Sequence, residues 1–205
     1  MKPVEGEGSK NIKASCENQF LRQPWQLVQS VTLYAPRGKV RNAISVLHVH
    51  PEQERIKCLI TSLEGVVLFE AEYDQGPEIL RAVPQFQDEE FARTLFRDIR
   101  VVLFAPEAGT IKTGKTSDGV LACEYELNNE GLVRVLLQEG DQREILQYSS
   151  SGKHLQTIEA SYGKPAFNPQ TVREQSAIPE KLVIQNHRAL GYKLELELIE
   201  AKALN

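Results

Sequence analysis

Hydrophobic and polar positions alternate along most of this chain, and the alternation is interrupted once. Residues 66–74 (VVLFEAEYD) are the cleanest case. Val67, Phe69, Ala71 and Tyr73 point one way while Glu70 and Glu72 point the other, the period-two signature of a strand with one face in a core. Residues 26–35 place Leu27, Val31 and Leu33 together; in 40–50, Val40, Ile44, Val46 and His48 oppose Ala43, Leu47 and Val49; in 55–63, Ile56, Cys58 and Ile60 share a face. The interruption is 88–104 (DEEFARTLFRDIRVVLF), where Phe91, Leu95, Ile99 and Val102/Leu103 recur at helical spacing. Asp88, Glu89 and Glu90 open this segment and Arg97 and Arg100 lie toward its end, the order of charge that complements a helix dipole. Pro106 forbids continuation. Ala92, Phe96 and Val101 widen the apolar stripe, so the helix is expected to be covered on more than one side.

Strand patterns resume at 119–127, 132–139, 144–150 and 155–163, separated by Asn-Asn-Glu-Gly, Gly-Asp-Gln and Ser-Gly-Lys turns. Residues 164–178 carry two prolines and no periodicity and are expected to form a loop. A last pair, 181–188 and 192–200, ends with Tyr192, Leu194, Leu196 and Leu198 alternating against Lys193, Glu195 and Glu197. Connections of hairpin length make the sheet antiparallel. Roughly ten strands in one sheet tend to curl or close. The expected architecture is therefore mainly β (α+β): a strongly curved antiparallel sheet, an incomplete barrel, wrapped around one principal helix.

Composition narrows the function classes. The 205 residues carry a net charge of −4 with both signs interspersed, which argues against nucleic acid and supplies no polybasic patch for a membrane. No apolar run reaches the ~18 residues a spanning helix needs. Residues 1–22 are rich in Gly, Lys and Glu and are expected to be a flexible leader, with 23–205 a single domain. Met1 is the only methionine, as in a trimmed mature sequence given a start codon, so the polar beginning says nothing about compartment. Three cysteines make no disulfide framework. Cys58 and Cys123 lie in strand patterns and are expected to be small buried hydrophobes. Cys16 resembles a lipid-attachment cysteine, but no apolar segment precedes it, and a surface thiol is expected.

Little here points to chemistry. There is no phosphate-cradling glycine motif, no nucleophile elbow and no metal signature of known spacing. His48 and His50 are two apart on a strand and so share a face. No third ligand accompanies them, and two rim histidines at a strand end are the preferred reading over a metal site. Glu70 and Glu72 are expected on a solvated face rather than as an acid/base dyad. His154 and His187 read as isolated polar positions near turns.

Three segments in order carry a family resemblance. TSLEGVVLFEAEYDQG (61–76) looks like the hairpin of the LolA/LolB-like lipoprotein-carrier superfamily, in which Ser-Pro-Leu-Gly and a hydrophobic pair lead into a strand ending Tyr-Asp-Gly. DEEFARTLFRDIRVVLFAPEA (88–108) resembles the helix that follows it in a small, uncharacterised bacterial outer-membrane lipoprotein branch of that superfamily. IPEKLVIQNHRALGYKLELELIE (178–200) is similar to that branch's closing hairpin. The resemblance spans about residues 26–200. It implies an incomplete antiparallel barrel with helices closing one mouth, and a hydrophobic cavity that receives acyl chains. It also implies a place in the periplasm or on the inner face of the outer membrane of a Gram-negative bacterium. In LolB-like proteins a leucine precedes the glycine of the hairpin loop and protrudes to help pass cargo to the membrane. Here Glu64 precedes Gly65, and the leucine, Leu63, stands one residue earlier. The branch's lipid-anchor cysteine is not visible, so membrane association is expected only if an anchor has been trimmed away.

The favoured expectation is a non-enzymatic module that binds lipid or an acylated partner in envelope transport or assembly, without catalytic residues, metal or cofactor. Its cavity lining is expected from Val67, Phe69, Ala71, Tyr73, Phe91, Leu95 and Ile99, with Leu63 and Glu64 in the hairpin loop. The alternative is a structural or adaptor lipoprotein with a filled core that binds a protein partner through a sheet edge. An enzyme built on His48 and His50 ranks third.

Overall fold

The structure is a computed structural model that describes residues 2–3, 16, 20–35, 39–105, 112–127, 131–138, 141–163, 177–187 and 192–204. The described residues contain thirteen strands and one long helix. The strands are β1 (Lys2–Pro3), β2 (Trp25–Ala35), β3 (Lys39–His50), β4 (Arg55–Thr61), β5 (Val67–Tyr73) and β6 (Pro77–Ala82) before the helix α1 (Glu89–Leu103). After it come β7 (Lys112–Lys115), β8 (Leu121–Leu127), β9 (Gly131–Leu137), β10 (Gln142–Tyr148), β11 (His154–Ser161), β12 (Lys181–Asn186) and β13 (Lys193–Ala203). They form one antiparallel sheet in the order β1-β7-β8-β9-β10-β11-β12-β13-β2-β3-β4-β5-β6. Apart from β1, the order is a meander broken once, where β13 returns beside β2 along ten paired positions.

The sheet is open, with β1 and β6 as its edges. Its curvature follows from its core. Phe69 near one edge, Ile158 in the middle and Tyr125 toward the other edge belong to one contiguous apolar cluster, which a flat sheet of this width cannot assemble. Cross-strand register keeps that cluster on a single face. Cys123, Val135, Ile145, Ile158, Ile184, Leu194 and Leu33 follow one another across seven strands. The opposite face is polar and laced with pairs such as Lys57–Glu72 at 2.7 Å, which puts Glu70 and Glu72 in solvent as the alternation implies. Exposed pairs of this kind contribute little stability.

α1 lies on the concave face over β5 and β6. Asp88 caps it, accepting from the Glu90 amide at 2.9 Å, and Phe104 ends it by donating its amide to the Arg100 carbonyl. The buried side of the helix is Ala92, Phe96, Val102 and Leu103, whereas Phe91, Leu95 and Ile99 are half-buried at its flank. The centre of the stripe is therefore rotated by one position from the pattern read off the sequence. The interface is aromatic: Phe91 meets Phe69 edge-to-face at 5.2 Å and Phe86 at 5.1 Å, and Phe96 meets Tyr73 at 5.6 Å. Ring pairs in such geometry add about 0.5–1.5 kcal/mol beyond the area they bury. Arg100 fastens the last turn, donating to Tyr73 Oη at 2.9 Å and to Glu54 at 3.1 Å. Asp98 is also buried, with Arg97 Nε 3.8 Å away.

Two expectations are corrected and one strand is added. Cys16 is not a surface thiol, and Cys123 is not a lone hydrophobe. The two form a disulfide with Cα atoms 5.9 Å apart, at a sequence separation of 107. The stretch 1–22, expected to be a flexible leader, includes packed positions. Cys16, Phe20 and Leu21 are core residues, Phe20 packs on the Tyr125 ring at 5.8 Å, and the Leu21 amide bonds the Leu103 carbonyl at 2.9 Å. Between the 66–74 strand and the helix, Pro77–Ala82 form the edge strand β6, which the alternation did not mark. The Pro106 stop and most of the 164–178 loop lie outside the described residues.

Candidate functional site

The concave trough gathers apolar side chains that the described residues do not fully cover, and it has two regions. Under α1 the floor is closed: Phe69 and Ala71 are 0 % and 1 % exposed, and Cys58 and Ile56 beside them are buried as well. Of the expected lining, Tyr73, Phe91, Leu95 and Ile99 pack against this closed floor and are half-buried, and Val67 at the start of β5 is half-buried as well. Six of the seven join one apolar cluster, with Phe69 and Ala71 in its buried core and Tyr73, Phe91, Leu95 and Ile99 packed against it.

The second region is the middle of the trough. Val31 and Leu33 on β2 and Leu194, Leu196 and Leu198 on β13 share the concave face with fully buried neighbours, yet each is only half-buried. Leu196 sits between Leu182 of β12 and Val31 of β2. Sequence reasoning placed these five on strands but not in a site. Their signal was present, since Leu194, Leu196 and Leu198 form an unbroken apolar row, but a row reports its direction and not its cover.

At the hairpin after β4, Gly65 takes φ +84° and the Ser62 amide bonds the Val66 carbonyl at 2.8 Å, turning the chain tightly. A side chain at that φ would be strained. Leu63 and Val66 project into solvent, 63 % and 59 % exposed, with Glu64 between them. The Ser62 hydroxyl, and then its own backbone amide, hold the Glu64 carboxyl below its usual value.

The polar lures resolve differently. His48 lies on the convex face beside Gln26, with Nε2 2.9 Å from the amide oxygen, and His50 ends β3. Among the described residues no three His, Cys, Asp or Glu side chains converge on a metal position. His154 and His187, read as isolated, are neighbours: their rings lie 4.5 Å apart and both reach the Thr157 hydroxyl. An open depression of about 330 Å³ over Gln142, Arg143, Glu144 and Glu159 is polar and lies away from the apolar trough. No helix among the described residues is long and apolar enough to cross a membrane, which leaves strand-based insertion unaddressed.

An open antiparallel half-barrel with a helix against its concave face is the architecture of the LolA/LolB-like superfamily, and the fold is of that type. A LolA superfamily protein from Nitrosomonas europaea superposes with a TM-score of 0.59 at 12 % identity, covering 96 % of this chain and 93 % of its own. A domain described as an outer membrane lipoprotein-sorting protein from Vibrio parahaemolyticus superposes with a TM-score of 0.53, also at 12 % identity, covering 95 % of this chain and 92 % of its own. No family model matches the sequence, and no curated protein matches it. At this identity the likeness establishes the fold.

Proposed function

We propose that this protein is a non-enzymatic carrier that binds acyl chains of a lipid or lipoprotein in the trough, acting in lipid or lipoprotein transport or assembly within a Gram-negative envelope. One observation carries the proposal: Val31, Leu33, Leu194, Leu196 and Leu198 are only half-buried on the concave face, beside the buried Leu182 and Ile184 on one side and the half-buried Ala43 and exposed Arg41 on the other. Covering methylenes there returns about 0.8 kcal/mol each. Association costs then reduce the affinity for one tail to the micromolar range. The half-buried flank of α1, at Phe91, Leu95 and Ile99, with Val67 and Tyr73, forms one wall of this site. The lipoprotein-sorting description of the Vibrio domain and the superfamily of the Nitrosomonas protein support the same reading and favour the periplasm.

The test is titration with an environment-sensitive fluorescent fatty acid, comparing two tryptophan substitutions. Leu196→Trp fills the open middle and is expected to abolish saturable uptake while melting within a few degrees of the wild type. Ala71→Trp overpacks the closed floor and is expected to cost about 1–3 kcal/mol of stability. No uptake by the wild type across chain lengths sinks the carrier and leaves the adaptor reading.

A further inference from the structure

The apolar rows of the trough are bordered by a polar one. Tyr125, Val133, Gln147, Gln156 and Asn186 follow one another across β8 to β12 by direct cross-strand pairing. They share the face of Ile145, Ile158 and Ile184, two residues away on β10, β11 and β12. Alternation thus aims both glutamines into the trough and not at solvent, and they are 3 % and 1 % exposed. Their amide nitrogens are buried and make no hydrogen bond among the described residues. Elsewhere on this face the Ser45 hydroxyl donates to Gln29 at 3.4 Å, while the Trp25 indole Nε1 is a further buried donor without an acceptor among the described residues. Two adjacent carboxamides left without acceptors in an apolar setting are costly, and leucine would fill the same space without that cost.

The row has a definite place. Gln147 directly precedes Tyr148 and the 149–153 turn, and Gln156 follows the same turn, so the amides stand at the end of the trough where β10 and β11 connect. From there the apolar rows run inward through Ile145, Ile158 and Ile184 toward Leu194 and Leu33. Donors at one end and hydrocarbon beyond them match a ligand whose tails start at carbonyl groups.

We infer that Gln147 and Gln156 recognise the ester carbonyls of a diacylglyceryl group whose chains lie along the apolar rows. The inference rests on the carrier reading and sharpens it: the trough selects acyl esters over hydrocarbon of equal length. Each carboxamide donates to one carbonyl oxygen, replacing the water that the ester gives up on entry. Diacylglyceryl groups occur both in phospholipids and on lipoproteins, and the chemistry that these amides read is common to the two.

The experiment uses the full chain and two probes, dioctanoylglycerol and its ether analogue dioctylglycerol, each displacing the fluorescent fatty acid. The wild type is expected to bind the ester about tenfold more tightly, as two net hydrogen bonds of ordinary strength allow. The Gln147→Leu/Gln156→Leu double variant is expected to bind both probes with the wild type's ether affinity. Its ligand-free melting temperature is expected to be equal or higher, because buried donors without acceptors have been removed. A melting temperature several degrees lower would show the amides satisfied in the free protein and overturn the inference. Saturable binding of both probes by the wild type without preference also overturns it, while leaving the carrier standing. Binding of neither probe removes the carrier reading and this one with it. Where the ester preference holds, competition by phosphatidylglycerol and by a diacylglyceryl-cysteine peptide shows which source supplies the group.

Discussion

β5 and β13 are written in the same alternating pattern and end in opposite situations. VLFEAEY buries Phe69 and Ala71 completely, whereas KLELELIEAKA leaves Leu194, Leu196 and Leu198 only half-buried on the same concave face. The difference lies in what lies above each strand. β5 has α1 across it, locked by Phe91 on Phe69 and Phe96 on Tyr73. β13, seven strands inward from the β1 edge, runs beside β2 with no comparable aromatic layer among the described residues. Periodicity reports which way a side chain points; coverage is decided by elements distant in sequence. Closed and open regions of one sheet should therefore answer the same insult differently.

The largest contrast is a buried charge. Phe96→Asp removes an aromatic ring that is 0 % exposed and places an unpartnered carboxylate under the helix. It is expected to cost more than about 4 kcal/mol, among the most severe classes of substitution, and so to unfold the domain at ordinary temperature. Leu196→Asp puts the same charge where water already reaches and is expected to cost about 1 kcal/mol. Paired urea melts measure both. Equal losses would show that the middle of the trough is as closed as its floor.

How much of this was legible follows from the same contrast. β2 to β5 and α1 stand out because each has strong periodicity over at least seven residues. The strands missed are β1, only two residues long, β6, which turns only Ile79 and Ala82 toward the core, and β7, whose KTGK carries almost nothing apolar. An edge strand with one satisfied side needs little hydrophobic pattern. The disulfide could not be read at all: Cys16 sits in a polar stretch, and its partner is 107 residues away. Of the site, the direction of the α1 and β5 residues was readable, but not that Phe69 and Ala71 are sealed. The open row on β13 and the glutamines of β10 and β11 were missed because polar residues in strands are ordinarily assigned to solvent.

A second break tests the flank opposite α1. The Cys16–Cys123 bridge ties residues far apart in the chain, and Tyr125 donates to the Cys16 carbonyl at 2.9 Å beside it. Closing a loop of this size stabilises by about 2–5 kcal/mol. The Cys16→Ala/Cys123→Ala variant is expected to lose that amount. Proteolysis should then open the chain near residue 20 before it cuts β4–β6, since the aromatic clamp of α1 is untouched. First cleavage on the α1 side would mean that the two flanks fold as a single cooperative unit.

The smallest effect concerns the remaining thiol, which lies in the closed region. Cys58 faces Leu47 and Ala71 across neighbouring strands, and burial pushes its pKa from an ordinary value near 9 up to about 12. The folded state therefore holds the proton that the unfolded chain releases, and stability falls as pH rises through that window. Below pH ~9 the contribution is fully present; between about 9 and 12 it is lost at ~1.4 kcal/mol per pH unit. Tyr162, raised by desolvation against the opposing pull of Arg143, adds an alkaline loss of its own. Wild type must therefore be compared with Cys58→Ala, which retains that tyrosine. The difference in unfolding free energy is expected to be constant up to pH ~8 and then to move steadily in favour of the alanine variant. Thiol reagents should label Cys58 in native protein at pH 8 only at the rate of unfolding. Rapid labelling, or a difference that stays flat to pH 11, would mean that water reaches the floor beneath α1 and that the closed region is as open as the middle.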